Sequence, residues 1–179
     1  MLGSKPMRSK FESLAAGQKV NMTSRLEFLN ENGEVETIEN DKAIYGLFGK
    51  YRPLSNFHME NVTVDEITYR CSEAAYMAQK TNNWDHRKYL GTLTASEAKR
   101  FGQTVQLIPN WDQLRITAMH KVLVAKFSQS KSLEQLLAST GDKYIEETNW
   151  WNDTFWGVCN GKGKNILGTL LMEVRSYNV

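Results

Sequence analysis

Cysteine is scarce in this sequence: only Cys71 and Cys159 occur in 179 residues, and they stand far apart. Disulfide frameworks and metal knuckles need clustered ligands, so neither is expected, and two free thiols fit a reducing, cytoplasmic setting. Long hydrophobic runs are lacking as well. The best candidates, Val122 to Ala125 and Ile166 to Met172, are short or interrupted against the roughly 20 residues that a membrane-spanning helix needs. The amino terminus has charges but no continuous apolar core of the secretory type. His58, His86 and His120 are scattered, without the i, i+4 spacing of a helical metal pair, and read as surface or packing residues. Charge of one sign is also missing. The net charge is +2, and residues 1–22 hold Lys5, Arg8, Lys10 and Lys19 against Glu12, a local +3 that leaves the remainder at −1. A duplex-binding platform would carry a positive excess on its folded part, so nucleic-acid binding is not expected as the main task.

What is present is an ordinary globular composition, 41% hydrophobic and 23% charged, which excludes disorder and fibrous classes for the chain as a whole. Residues 1–22 keep no sustained period and read as a loosely attached basic extension, with residues 23–179 as the domain. Arg25 to Asp41 reads as two short strands around the Asn32-Gly33 turn, forming an acidic, solvated hairpin. A strand over Ala43 to Phe48 and a half-buried β segment through Val62, Val64, Ile67 and Tyr69 are expected next. Helices follow over Ser72 to Lys80, Thr94 to Phe101 with a Thr94-x-x-Glu97 capping box, Trp111 to Phe127, and about Leu133 to Ser139. A strand near Tyr144 to Glu146, an aromatic loop from Thr148 to Cys159 and a helix over Ile166 to Arg175 complete a helix-rich α+β domain. Its sheet is expected to be small and antiparallel.

Three constellations have chemical potential. The loop Glu147 to Gly157 sets Trp150, Trp151 and Trp156 beside Asp153, Asn149 and Asn152 where no period is kept. Flat rings next to amides suit a nucleobase or similar heterocycle, and rings plugging the core beneath a loop are the structural alternative. In the helix from Ser72, Glu73, Tyr76, Met77 and Lys80 fall on one face, which serves either a site or a charge-stabilised surface. In the long helix, Trp111, Arg115, Met119, Val122 and Lys126 make a stripe able to bind a phosphate beside a ring, or to pack the core with snorkelling cations. Gly161-Lys162-Gly163-Lys164 lacks the spacing and the preceding strand of a phosphate loop.

Read in order, Tyr51-Arg52-Pro53-Leu54-Ser55-Asn56-Phe57, Ser72-Glu73-x-Ala75-Tyr76-x-Ala78-Gln79-Lys80 and Trp111-Asp112-x-x-Arg115 resemble the YbiA-like, or NADAR, family. So do Glu147-x-Asn149-x-Trp151-x-Asp153-x-x-Trp156-Gly157 and Gly163-x-Asn165-x-Leu167-Gly168. The resemblance implies a compact YbiA-like α+β fold and a metal-independent N-glycosidase, a hydrolase without cofactor. Its substrate would carry ribose phosphate or ADP-ribose: either a ribosylamino-pyrimidine phosphate of riboflavin synthesis or an ADP-ribosylated base such as guanine. The second is preferred because of the ring-rich loop, with ADP-ribosylated nucleic acid as a partner and no membrane contact. Carried over by position, Glu73 and Asp153 are the implied catalytic carboxylates and Trp111 and Trp156 the ring walls. Asn56, Arg115, Lys80, Lys126 and Asn149 are the implied polar pocket residues, and Tyr76 joins them from the Glu73 helix face. Asn152 stands where glycine is common. A non-catalytic ADP-ribose reader and a tail-mediated nucleic-acid binder are the rival readings.

Overall fold

A computed structural model describes residues 25–177. The expected basic extension over residues 1–22 lies outside the described residues. Two compact units make up the rest, one from the chain up to Arg52 together with Ser139–Ser176, the other from Pro53–Ala138.

In the first unit, β1 (Ile38–Glu39) pairs antiparallel with β2 (Ala43–Tyr45), and β2 pairs parallel with β5 (Tyr144–Glu146). A second small sheet joins β6 (Thr148–Asn149) parallel to β7 (Val158–Cys159), which runs antiparallel to β8 (Lys162–Gly163). The class is the expected α+β, but the expected antiparallel pairing is corrected by these two parallel pairs. Both are tertiary pairings, to which local alternation is blind. The expected acidic hairpin is reduced to one antiparallel bridge, Leu29 to Val35, because Arg25–Phe28 winds into a 3-10 turn that buries Phe28. Phe28, Ile38, Ala43, Tyr45 and Phe48 form the local core, with Val35, Tyr144 and Trp150 packed on it. Nor is every acid of that segment simply solvated. Glu39 accepts from Lys143 Nζ (2.6 Å) and Tyr51 Oη (2.8 Å) and pairs with Lys50. Burial alone would raise its pKa, but these three donors outweigh burial and lower it from 4.5 to about 2. Helix α6 (Ile166–Tyr177) buries Leu167, Leu170, Leu171 and Val174 at helical spacing.

In the second unit, β3 (Met59–Val64) and β4 (Ile67–Cys71) form an antiparallel hairpin where the sequence pattern predicts one β segment. Its turn residues Asp65 and Glu66 both have positive φ, 52° and 65°, a conformation usually signalled by Asn-Gly and here unmarked. Four helices keep close to expectation: α1 (Ser72–Ala78), α3 (Ala95–Phe101), α4 (Trp111–Gln129) and α5 (Lys131–Ala138). At the start of α3 the Glu97 carboxylate accepts from the Thr94 N–H at 2.9 Å and hydroxyl at 2.7 Å. Helix α2 (Trp84–Thr92) is additional. It buries only Leu90, so no apolar period announces it, and it starts instead on the Asn83 side chain, which accepts from the Asp85 and His86 N–H groups. The α1 helix packs against α2, α3, α4 and the β3–β4 hairpin.

Candidate active site

The α1 helix carries Glu73 and lies in the second unit. Ala74, Ala75 and Ala78 let neighbouring elements approach closely, and all seven residues of the helix are buried. The surface-face reading is therefore corrected for Glu73 and Tyr76, which are buried, while Lys80 just past the helix is half-buried. Glu73 is 6% exposed, in a fold region where an unpaired carboxylate would be costly. Its backbone N–H donates to the Asn56 carbonyl at 3.0 Å, which ties the Ser55–Phe57 loop to the start of α1. Lys80, past the end of α1, donates to the Gly102 carbonyl at 3.3 Å. Burial pushes the Lys80 ammonium below its usual pKa, the Glu73 charge pulls it back in part, and Lys99 pushes it down again.

The Tyr76 ring lies 5.6 Å from that of Trp111, tilted by 44°, at the amino end of α4. Asn56, also 6% exposed, reaches the Met119 sulfur with Nδ2 at 3.2 Å, while its Oδ1 is buried without a hydrogen-bond partner. Since sulfur is a weak acceptor and an orphaned buried carbonyl costs free energy, this amide is under-satisfied by its partners among the described residues. Lys126 is buried at 2% exposure and donates to the Ser55 carbonyl at 2.9 Å, so it braces the same loop from α4. Arg115 lies one turn into α4 with Nη1 3.8 Å from Asp112. Within this unit, then, Glu73, Asn56, Lys80, Tyr76, Trp111 and Lys126 stand on α1, α4 and the loops beside them, and Arg115 of α4 also pairs with Asp112 on its own helix. The thiol of Cys71, just before Glu73, is buried and pushed up in pKa by that burial.

Asp153, Asn149 and Trp156 belong to the first unit, in the loop between β6 and β7. Asn149 is 0% exposed. Its Oδ1 accepts from the Asp153 N–H at 3.0 Å, and its Nδ2 donates to the carbonyls of Asp153 (2.8 Å), Val158 (3.1 Å) and Glu147 (3.4 Å). Asp153 Oδ1 accepts from the N–H groups of Phe155 (3.1 Å) and Trp156 (2.9 Å). Asn152 has φ +65°, which accounts for its standing at a position where glycine is common, since asparagine tolerates the left-handed region. A Cβ on Gly157 would collide with the Glu147 carbonyl, so the loop closes only with glycine there.

The rings of this loop sort into different roles. Trp150 stacks on Phe48 at 5.2 Å and 28° and plugs the core, Trp151 is 46% exposed, and Trp156 is half-buried edge-on to Phe155 at 4.9 Å. Asn165 is a site-shaping residue outside the sequence-predicted set. Its side chain accepts from the Glu147 N–H at 3.0 Å and donates to the Ile145 carbonyl at 2.8 Å and the Tyr144 hydroxyl at 3.0 Å. Its Gly163-x-Asn165 setting is the signal that marks it. Among the described residues no group of three His, Cys, Asp or Glu side chains is arranged to hold a metal, and no helix is long and apolar enough to cross a membrane.

The NADAR domain model matches residues 39–177, a span that takes in Glu73 and Asp153 alike. The chain belongs to the NADAR family. The N-glycosidase YbiA of Escherichia coli is 37% identical over 136 residues, covering 73% of this chain and 84% of that protein. An N-glycosidase of Nostoc punctiforme is 30% identical, covering 73% and 88%. A riboflavin biosynthesis protein of Vibrio vulnificus is 33% identical across 68% of this chain but only 34% of its own length. The solution structure of E. coli YbiA matches with a TM-score of 0.69 and 34% identity, over 78% of this chain and 86% of that one. As a NADAR protein the chain is an enzyme of the N-glycosidase class, a hydrolase.

Proposed function

We propose that this NADAR protein hydrolyses the C–N bond between the anomeric carbon of a phosphorylated ribose and a flat nitrogenous leaving group. The observation that supports the reading most strongly is Glu73. It is a carboxylate held inside a wholly buried helix whose Glu73 N–H bonds to the Asn56 carbonyl, and the Asn56 side-chain oxygen has no partner among the described residues. Breaking an N-ribosyl bond builds positive charge on the sugar ring and negative charge on the departing nitrogen. A carboxylate fixed in a poorly hydrated place stabilises that cation or takes a proton from the attacking water. Water oxygen bonds to the anomeric carbon, the C–N bond breaks, and the leaving nitrogen gains a proton. Tyr76 and Trp111 offer ring surface to the leaving group, and Asn56 Oδ1 accepts from a ribose hydroxyl or a ring N–H. The family resemblance assigns Asp153 a part in the chemistry as well, and its Oδ1 is engaged by the Phe155 and Trp156 N–H groups of its own loop. Asn149, with its amide taken up by the backbone, holds that loop instead of binding substrate. Lys126, engaged with the Ser55 carbonyl, likewise positions Asn56.

Of the two leaving groups, an ADP-ribosylated base such as guanine accords with the exposed Trp151 and half-buried Trp156, although Trp150 is withdrawn into the core. The alternative, a ribosylamino-pyrimidine phosphate, is favoured by the relatives named for riboflavin biosynthesis. Chromatography after incubation with each class separates them: free ADP-ribose from the first, free ribose phosphate from the second. A non-catalytic reader would return both substrates whole, and that result would overturn the proposal.

A further inference from the structure

The first unit holds a second buried carboxylate, outside the proposed chemistry. Glu146 is 4% exposed on β5, and by strand alternation it shares a sheet face with Tyr144 and, across the parallel register, with Ala43 and Tyr45 of β2. That face meets the core of Phe28, Ile38 and Phe48, on which Trp150 packs from the β6–β7 loop. The groups facing the carboxyl are uncharged. Thr148 of β6 donates its hydroxyl to Oε1 at 2.7 Å, Tyr144 donates to Oε2 at 3.4 Å, and Tyr45 lies opposite on β2. Asn165, just ahead of α6, donates in turn to the Tyr144 hydroxyl at 3.0 Å. Burial pushes both phenols above their usual pKa, Tyr45 to about 12, so each stays neutral. Among the described residues no ammonium or guanidinium acts on Glu146, and burial pushes its carboxyl up against the weaker opposing pull of the two hydroxyls. An ionised carboxylate set among rings without a counter-charge must draw in water or move.

We propose that Glu146 is a proton-operated latch on the β6–β7 loop. With its proton, the carboxyl lies quietly beside the aromatic core and Trp150 stays seated on Phe48. When the proton passes to a base in solution, the carboxylate takes on water, the face between β5 and the rings opens, and Trp150 is released with its loop. The link to that loop is short: Thr148, bonded to Glu146, begins β6, and Trp150 follows directly after that strand. The folded chain keeps a proton that the unfolded chain gives up near 4.5, so rising pH removes stability here, the reverse of Glu39. Asp153 and Trp156 ride on the same loop, but the latch operates whether or not the chain hydrolyses an N-ribosyl bond.

Near-UV circular dichroism of the full chain, titrated from about pH 5 to about pH 9, reads the packing of Trp150. The wild type is expected to show a transition with its midpoint above the ordinary glutamate value, and Trp150→Phe should lose most of its amplitude. Glu146→Gln keeps the shape and the acceptor for Thr148 without the charge, so it should hold the low-pH spectrum throughout. Signals from other titrating groups persist in that variant, and the difference between the two proteins isolates Glu146. Thr148→Val removes a hydroxyl that favours the ionised form, so its midpoint should move to higher pH. A constant wild-type spectrum, a transition undiminished in Glu146→Gln or in Trp150→Phe, or a Thr148→Val midpoint moved to lower pH overturns the latch.

Discussion

Asn56 and Asn149 are both buried amides in polar loops, yet they use their hydrogen-bonding capacity in opposite ways. Asn149 directs its entire amide at backbone groups of its own loop, from Glu147 to Val158. Asn56 has a single weak contact to sulfur and an oxygen with no partner. A saturated amide builds a scaffold, whereas an unsaturated one keeps hydrogen-bonding capacity for another partner. The two regions around them differ in the same sense. Around α1, a buried carboxylate acts on a half-buried ammonium, while in the β6–β7 loop Asp153 caps its own backbone.

The sharpest break of this contrast is Glu73→Gln, which keeps the shape of the buried side chain and removes its charge. Turnover should fall by about 10²- to 10⁴-fold, the usual contribution of a positioned acid or base, while thermal unfolding stays cooperative. Activity at the parental level would remove Glu73 from the mechanism. The comparison itself is tested by paired alanine substitutions. Asn149→Ala deletes four hydrogen bonds and should lower stability by roughly 4 kcal/mol at about 1 kcal/mol per bond. Asn56→Ala should cost less than about 1 kcal/mol, because it removes an unsatisfied oxygen, and should instead weaken substrate binding or turnover at least tenfold. Urea unfolding alongside kinetics reads both, and equal stability losses would erase the distinction.

The first unit offers a third test, on pH. The Glu39 carboxyl is lowered from 4.5 to about 2 in the folded protein, so between those values the unfolded chain binds the extra proton. The stabilisation is complete above about pH 4.5 and disappears as pH falls toward 2. The shift alone corresponds to a ceiling near 3 kcal/mol. With Lys50 65% exposed and solvent-screened, about 2 kcal/mol is expected. Urea midpoints measured across that interval should fall steeply in the wild type and less steeply in Glu39→Gln, and parallel curves would discard the network. The smallest effect is that of Asn83→Ala, about 1 kcal/mol for loss of the α2 cap, visible as faster hydrogen exchange in Trp84–Thr92.

Much of this was legible from residues alone where the signal is local. The capping box at Thr94, the Trp111 helix and the Tyr144–Glu146 strand fall where pattern places them. The motifs around Glu73 and Asp153 led to the family. What pattern could not supply depends on partners distant in the chain. A seven-residue helix with three alanines reads equally as surface or interior, and only its four packing neighbours make Glu73 a buried acid. The Asp65-Glu66 turn hides a hairpin because neither residue advertises a positive φ. Asn56 and Asn149 look alike in sequence, and the carbonyls that surround one and not the other are set by tertiary closure.

The burial of every residue in α1 has an evolutionary corollary. A helix walled in on all sides is among the last segments to open in native-state fluctuations, so the acid it carries is presented in one orientation. Changes to Ser72–Ala78 are judged by folding first, and under the proposed role of Glu73 by catalysis as well. Tolerated change is consequently channelled to the exposed residues outside this helix, and a laboratory library would best begin there.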